Sequence, residues 1–261
     1  MCGICGFVGA GSADDLARMS TLLRHRGPDD SGSWVSAVPP VQLSSRRLAV
    51  VDLPGGHQPM LTEDGQLVIV FNGEIYNHRE LRDELEKLGH KFRTDHSDTE
   101  VILLGYREWG AKLPEHLNGM WAFALYDESR GTLFCSRDRF GEKPFYYTRT
   151  KEAFVFASEL TSLAAHPSTS RNVSRRALQK YFAYGYIPSP LSIYQDAVKL
   201  PAGCSLSVNV RSFDCRVQKY WDLLLEPFAT IPRKPEEEWG GHIRELLDRA
   251  VKRRLIADVP V

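Results

Sequence analysis

No stretch of the 261-residue sequence approaches the ~18 consecutive apolar residues that cross a membrane as a helix. The first residues also lack the basic start and apolar core of a secretory signal. Neither sign of charge is in excess: Lys plus Arg and Asp plus Glu are each 33, so nothing draws the chain toward nucleic acid or an anionic lipid surface. Cysteine is scarce, and the five present are an odd number without a framework, which fits a reducing compartment. Cys2-x-x-Cys5 has ligand spacing, but Cys135, Cys204 and Cys215 supply no second pair for a structural zinc site. Gly9-x-Gly11 begins like a dinucleotide fingerprint, yet Asp14 stands at its third glycine position, where a carboxylate would face a pyrophosphate. Repeats and low-complexity segments are absent. The expectation is a cytoplasmic protein with no metal, no nucleic acid and no membrane among its partners.

What is present is ample core and one unusual terminus. The composition is 43% apolar and 25% charged, that of a globular protein with one large domain or one and part of another. The chain opens Met1-Cys2-Gly3-Ile4-Cys5-Gly6. A side chain as small as that of Cys2 does not block removal of Met1, which would leave a thiol and a free α-amine on one residue. Such a pair joins a nucleophile to its own base. An α-amine near ~7.9 is about one-tenth free base at neutral pH, whereas a lysine near ~10.4 is almost none. A thiol near ~8.5 needs modest help to react as thiolate. Ile4, Cys5, Phe7 and Val8 read as a buried first strand, with Cys2 at its exposed start.

Along the chain, Ser12 to Arg24 reads as a helix with Leu16, Met19, Leu22 and Leu23 on one face. Arg24-His25-Arg26-Gly27-Pro28-Asp29 stops it as a charged turn, within which Arg26 is a candidate site residue. Strands are expected at 32–38, 47–52 and 66–71. Asn72-Gly73 follows the last of these, a hairpin signal in other settings. Here a capping-box spacing at Asn77 and Glu80 and the stripe Leu81, Leu85, Leu88 predict that the strand leads to a helix. A side-chain amide and a slim backbone N–H can then point at one oxygen. A second capping-box spacing, Ser97 and Glu100, opens another helix with Asp98 in its first turn. There Asp98 complements the helix dipole locally. Residues 120–127, 132–137, 144–148 and 153–157 read as an antiparallel meander, with Arg137 to Lys143 as a solvated turn. Helices are expected at 174–184 and 235–255, the second with Trp239, Ile243, Leu246, Leu247, Ala250, Val251 and Leu255 as its apolar stripe. The stiff Pro188–Pro201 region suggests a domain boundary.

Taken together, seven stretches resemble one family in order and spacing. They are Met1–Gly6, Arg24–Asp29, Arg46–Asp52, Gln58-Pro59-Met60, Phe71–Asn77, Ser97–Val101 and Arg137–Gly141. The family is that of glutamine-dependent asparagine synthetases, with their N-terminal class II glutamine amidotransferase domain. The resemblance implies an α+β fold, an N-terminal-nucleophile αββα four-layer sandwich, over 2–189. It implies that 190–261 is a linker and the incomplete start of an α/β synthetase domain. By the same resemblance Cys2 is the nucleophile, and Asn72 and the Gly73 N–H form the oxyanion hole. Arg47 grips the α-carboxylate of glutamine, Asp98 with Glu74 takes its ammonium, and Leu48, Ala49, Val50 and Val51 contribute backbone. Ser45 stands where the family often has histidine. No cofactor is implied for glutamine hydrolysis. ATP and magnesium belong to the synthetase domain, whose Ser-Gly-Gly-x-Asp-Ser loop does not occur in these residues. Expected partners are glutamine here and aspartate with ATP in a longer enzyme, with a homodimer an open assembly state. Two alternatives stand beside this: a family member acting on another carboxylate acceptor, and a non-catalytic scaffold of the same fold.

Overall fold

The computed structural model describes residues 1–36, 40–225 and 236–260. Two six-stranded antiparallel sheets face each other. The strands are β1 (Gly3–Gly9), β2 (Asp30–Ser36), β3 (Val41–Arg47), β4 (Met60–Leu61), β5 (Leu67–Ile75), β6 (Gly119–Asp127), β7 (Thr132–Arg137), β8 (Tyr146–Arg149), β9 (Ala153–Ala157), β10 (Ala197–Lys199), β11 (Cys204–Asn209) and β12 (Cys215–Lys219). One sheet runs β10-β8-β9-β1-β3-β2 and the other β12-β11-β7-β6-β5-β4. The helices are α1 (Ala13–Thr21), α2 (His78–Lys87), α3 (Asp98–Trp109), the short turns α4 (Leu113–His116) and α5 (Leu160–Leu163), α6 (Arg175–Tyr184) and α7 (Glu236–Arg254).

Period-two alternation sorts the strand side chains into layers. Val68 and Val70 of β5 turn inward and meet Ile4, Val8 and Leu43 of the facing sheet. Ile69 and Phe71 turn outward onto Leu81, Leu85, Val101 and Leu104 of α2 and α3. On the far side, Cys5 and Phe7 of β1 pack with Leu16 and Met19 of α1 and Leu163 of α5. These three apolar layers make the expected αββα sandwich. Cys5 lies beneath α1, apart from Cys2, and burial pushes its thiol up to about 12.

Several local expectations are corrected. The strand expected at 47–52 is instead β3, ending at Arg47, and residues 48–52 form a loop; Ala37 and Val38 of the strand expected at 32–38 lie outside the described residues. The expected meander is split, since β6 and β7 pair in one sheet while β8 and β9 pair in the other. Asn72 and Gly73 do not end their strand but pair with Ala122 and Trp121. Neither expected capping box forms. The Asn77 side chain instead spans to the α4–β6 junction, donating to the His116 carbonyl at 3.0 Å and accepting from Asn118 N–H at 2.8 Å. The Glu100 carboxylate turns back to Arg93 and Thr94 N–H, both at 2.8 Å. The box that does form is Ser12 with Asp15 at α1. Finally, β10, β11 and β12 sit inside the two sheets, so the sandwich continues past Ser189 to Lys219.

Candidate active site

The start of β1 and the late residues of β5 come together at one edge of the sandwich. Gly3 pairs with Arg46 on β3, which sets Cys2 beside Arg47. A cavity of about 150 Å³ opens there, lined by Cys2, Arg47, Leu48, Val50, Val51, Asn72, Gly73, Glu74 and Asp98. Of the residues expected at the site, Ala49 and Arg26 are not on its wall; the Ala49 N–H donates to the Asp29 carboxylate at 2.9 Å. Ser45 is buried on β3 and does not line the cavity either.

The turn after α1 holds both sides of the nucleophile's neighbourhood. Arg26 Nε donates to the Cys2 carbonyl at 2.9 Å while its Nη1 pairs with Glu159, also at 2.9 Å. Asp29 N–H donates to the Arg47 carbonyl at 3.1 Å. Gly27 is required between them, because a Cβ there would stand 2.3 Å from the Arg46 carbonyl carbon. The charged turn is therefore part of the scaffold that fixes Cys2 and Arg47.

The Cys2 thiol donates to the Leu48 carbonyl at 3.7 Å. Burial raises its pKa, against lowering by the neighbouring chain terminus and Arg47. Burial also lowers the pKa of the terminal amine carried by Met1, with the Cys2 thiol raising it and Arg26 and Lys143 lowering it further. Both shifts favour neutral forms, a thiol beside an amine with its lone pair free.

Asn72 is 1% exposed, and its side-chain nitrogen has no hydrogen-bond partner among the described residues. A buried amide donor left unpaired costs on the order of 1–3 kcal/mol, a cost that an oxygen arriving in the cavity relieves. Gly73 beside it is pressed against β6, since a Cβ would lie 2.1 Å from the Met120 carbonyl oxygen.

The charged groups alternate in sign. Arg47 donates through Nη1 to the Leu53 carbonyl at 2.9 Å and through Nη2 to those of Val51 and Asp52, both at 2.8 Å. Those bonds leave part of its fork for a ligand. Asp98 accepts from Ile75 N–H at 3.1 Å, and burial pushes its carboxyl up to about 6. Burial likewise raises Glu74, with Lys143 opposing.

Sequence reasoning missed Gln58, Thr99, Met120 and Lys143 on the wall. Lys143 arrives there because its loop is not a solvated turn. Asp138 is fully buried and accepts N–H bonds from Trp121, Phe140, Glu142 and Lys143 at 2.9–3.3 Å. Arg137 donates to the carbonyls of Gly141, Lys143 and Leu200 at 2.6–2.7 Å. The signal available in sequence was the alternation Arg137-Asp138-Arg139, of which Arg137 and Asp138 turn inward onto backbone carbonyls and N–H groups.

Comparison with known proteins places this geometry among relatives. The profile of the glutamine amidotransferase domain matches residues 1–221. The chain is 38% identical over 283 residues to a putative asparagine synthetase [glutamine-hydrolyzing] 2 of Methanocaldococcus jannaschii, covering all of this chain and 53% of that protein. It is also 38% identical over 269 residues to asparagine synthetase [glutamine-hydrolyzing] 3 of Bacillus subtilis, covering 42% of that protein. The chain thus spans about half the length, or less, of these relatives. Among solved structures, glutamine phosphoribosylpyrophosphate amidotransferase from B. subtilis has the same fold, with a TM-score of 0.60, 18% identity, and coverage of 84% of this chain and 49% of that one.

Proposed function

Since the chain belongs to the glutamine amidotransferase domain family, we propose that its cavity hydrolyses glutamine by nucleophilic attack from Cys2. The observation that carries this reading is the pairing of Cys2 with the unpartnered, buried amide of Asn72 in one cavity. A nucleophile next to an unused hydrogen-bond donor is the arrangement an amide carbonyl needs, because negative charge develops on its oxygen as the carbon is attacked. The alternating charges suit a zwitterion. Arg47 takes the α-carboxylate through its remaining donors, and Asp98 with Glu74 takes the ammonium.

The proposed sequence needs Met1 removed, which breaks the Met1–Cys2 peptide bond and frees the α-amine of Cys2 itself. The amine accepts the thiol proton as sulfur bonds to the side-chain carbonyl carbon. The oxygen, now carrying the charge, is held by Asn72 Nδ2 and Gly73 N–H. The C–N bond breaks, the proton passes from the amine to nitrogen, and ammonia leaves a thioester on Cys2. Water, deprotonated by the same amine, attacks the thioester carbon; the C–S bond breaks, the amine returns its proton to sulfur, and glutamate leaves with Cys2 restored.

The longer relatives suggest where the ammonia goes: to an ATP-activated aspartate on a synthetase domain whose beginning we assign to the residues after the sandwich, α7 included. No Ser-Gly-Gly-x-Asp-Ser loop occurs in these 261 residues, so they do not fit ATP and none of the steps above runs through it. A cytoplasmic location agrees with such a role, and among the described residues no helix is long and apolar enough to cross a membrane. The test is direct. With glutamine alone, the Met1-processed chain should release equal amounts of glutamate and ammonia without ATP, and Cys2→Ala should release neither. With aspartate, ATP and magnesium added, no asparagine should form; asparagine above background would refute the division of labour.

A further inference from the structure

Arg47 is seated by carbonyls of a loop that has no regular structure of its own. That loop is held in turn from the far end of the chain. Asp258 N–H donates to the Val50 carbonyl at 2.9 Å, and the Asp258 carboxylate accepts from Asp52 N–H at 2.7 Å. The two bonds bracket Val51, which lines the cavity and whose carbonyl takes an Arg47 N–H. Asp52 itself is 1% exposed and in the left-handed region at φ 48°. Its N–H is covered by the Asp258 carboxylate, the acceptor that protects it. The same Asp258 oxygen meets His96 Nε2 at 2.6 Å, and His96 Nδ1 meets Asp95 at 2.7 Å. His96 is half-buried between two carboxylates, with Asp52 and Arg79 the other charges nearby. A second contact comes from one turn earlier, where the Arg254 guanidinium stacks over the Tyr76 ring at 5.0 Å. Tyr76 follows directly from the strand that carries Asn72, Gly73 and Glu74. The segment at the end of α7 therefore touches one wall of the cavity at Val50 and the residue just beyond the strand that forms the other.

We propose that Asp258, clasped by His96, is a positioning residue for glutamine: it pins the Val50–Asp52 strap that seats Arg47, so the segment after α7 sets substrate affinity. This rests on the reading of the cavity as a glutamine site. It deepens that reading by assigning the affinity control to residues about two hundred positions away from the pocket in sequence. The geometry also gives a direction of coupling. Anything that draws Asp258 off the strap removes one anchor at the Val50 carbonyl and one at the Asp52 N–H without touching Cys2 or Asn72, so capture weakens while the reacting atoms keep their donors.

The experiment has two arms on the full chain. In the first, hydrogen exchange of the Asp52 amide is measured without ligand. Asp258→Ala should speed it by about tenfold or more, and Asp258→Asn, which keeps an acceptor oxygen, should restore most of the protection. In the second, glutamine affinity is measured by calorimetry in the unreactive Cys2→Ala background, and steady-state kinetics in the reactive chain. Asp258→Ala should weaken affinity and raise KM by roughly fivefold or more, with kcat within about twofold. His96→Ala added to Asp258→Ala should cost little beyond the single change, since the two act as one unit. Unchanged Asp52 exchange in Asp258→Ala overturns the clasp. Faster exchange with unchanged affinity and KM overturns the positioning role. If the parent chain binds no glutamine at all, the functional reading fails and the positioning role falls with it, while the exchange arm still decides the clasp.

Discussion

Asp98 is the residue whose chemistry is most exposed to pH. Burial holds its carboxyl up at about 6, above the usual carboxylate range, against lowering by the Ile75 and Thr99 N–H groups and by Arg47. The native chain thus binds a proton there that the unfolded chain has already released. This group's contribution to stability therefore falls as pH rises from about 4 through 6. Glutamine capture has the opposite sign, since its ammonium needs the ionised form. KM for glutamine should rise as pH drops below about 6, and Asp98→Asn should raise KM about tenfold while flattening that dependence. An unchanged acid limb in Asp98→Asn would assign the titration elsewhere. Asn72 gives a complementary prediction. Asn72→Ala removes a donor offered only to the developing oxyanion, so kcat should fall by roughly 10²–10³ with KM little changed. A fall in affinity with kcat preserved would contradict the donor's proposed place. Cys2 and Asn72 were legible as candidates in residue type and local setting, whereas Asp98 read locally as a dipole complement and became a candidate only through the family resemblance. Lys143 was not, because what brings it to the cavity is the burial of Asp138, a tertiary fact that a charged heptapeptide hides. Ala49 shows the converse, since adjacency to Leu48 and Val50 in sequence did not put it on the wall.

At the scale of elements, apolar alternation located the strands better than capping signals located the helix starts. Period two along β5 divides Val68 and Val70 from Ile69 and Phe71 between two cores, and such burial on both faces over-determines the strand. The Asn77 and Ser97 cap spacings were real in sequence, yet tertiary partners at His116, Asn118, Arg93 and Thr94 claimed the side chains. The split of the expected meander has a similar cause. The loop from Asp138 to Phe145 is wound around a buried carboxylate and crosses between sheets, where a short reversal had been expected. That loop can be tested by itself. Asp138→Ala strands several buried N–H groups and should destabilise the chain by on the order of 2–4 kcal/mol in urea unfolding. Asp138→Asn should also be harmful, because an amide nitrogen meets N–H donors where the second oxygen stood. A change below about 0.5 kcal/mol in both would show that the loop finds other partners.

Across the whole molecule, two sheets and their flanking helices form one sandwich through Lys219, and α7 is of a different character. None of its residues is buried, and Ile243, Leu247 and Val251 are each more than half exposed along one stripe. An apolar stripe of that kind favours association. Light scattering should find concentration-dependent self-association that Ile243→Glu with Leu247→Glu suppresses, leaving glutaminase activity in place. Activity lost together with association would mean that the stripe supports the site and not only contacts between molecules. The order of motifs revealed the αββα class, but not that the strands after Ser189 complete both sheets. The short β10 and β12 have little alternation of their own and are recognised only by the edges they join.

One thiol, at a processed terminus, is the group proposed to react with a glutamine-shaped electrophile. It is tested most directly by treating the protein with a diazoketone analogue of glutamine and mapping the adduct by mass spectrometry. The reactive population should have lost the Met1 mass and carry a single adduct on Cys2, blocked by excess glutamine and absent from Cys5, Cys135, Cys204 and Cys215. Labelling of a chain that still carries Met1, or an adduct that glutamine does not protect, would contradict it.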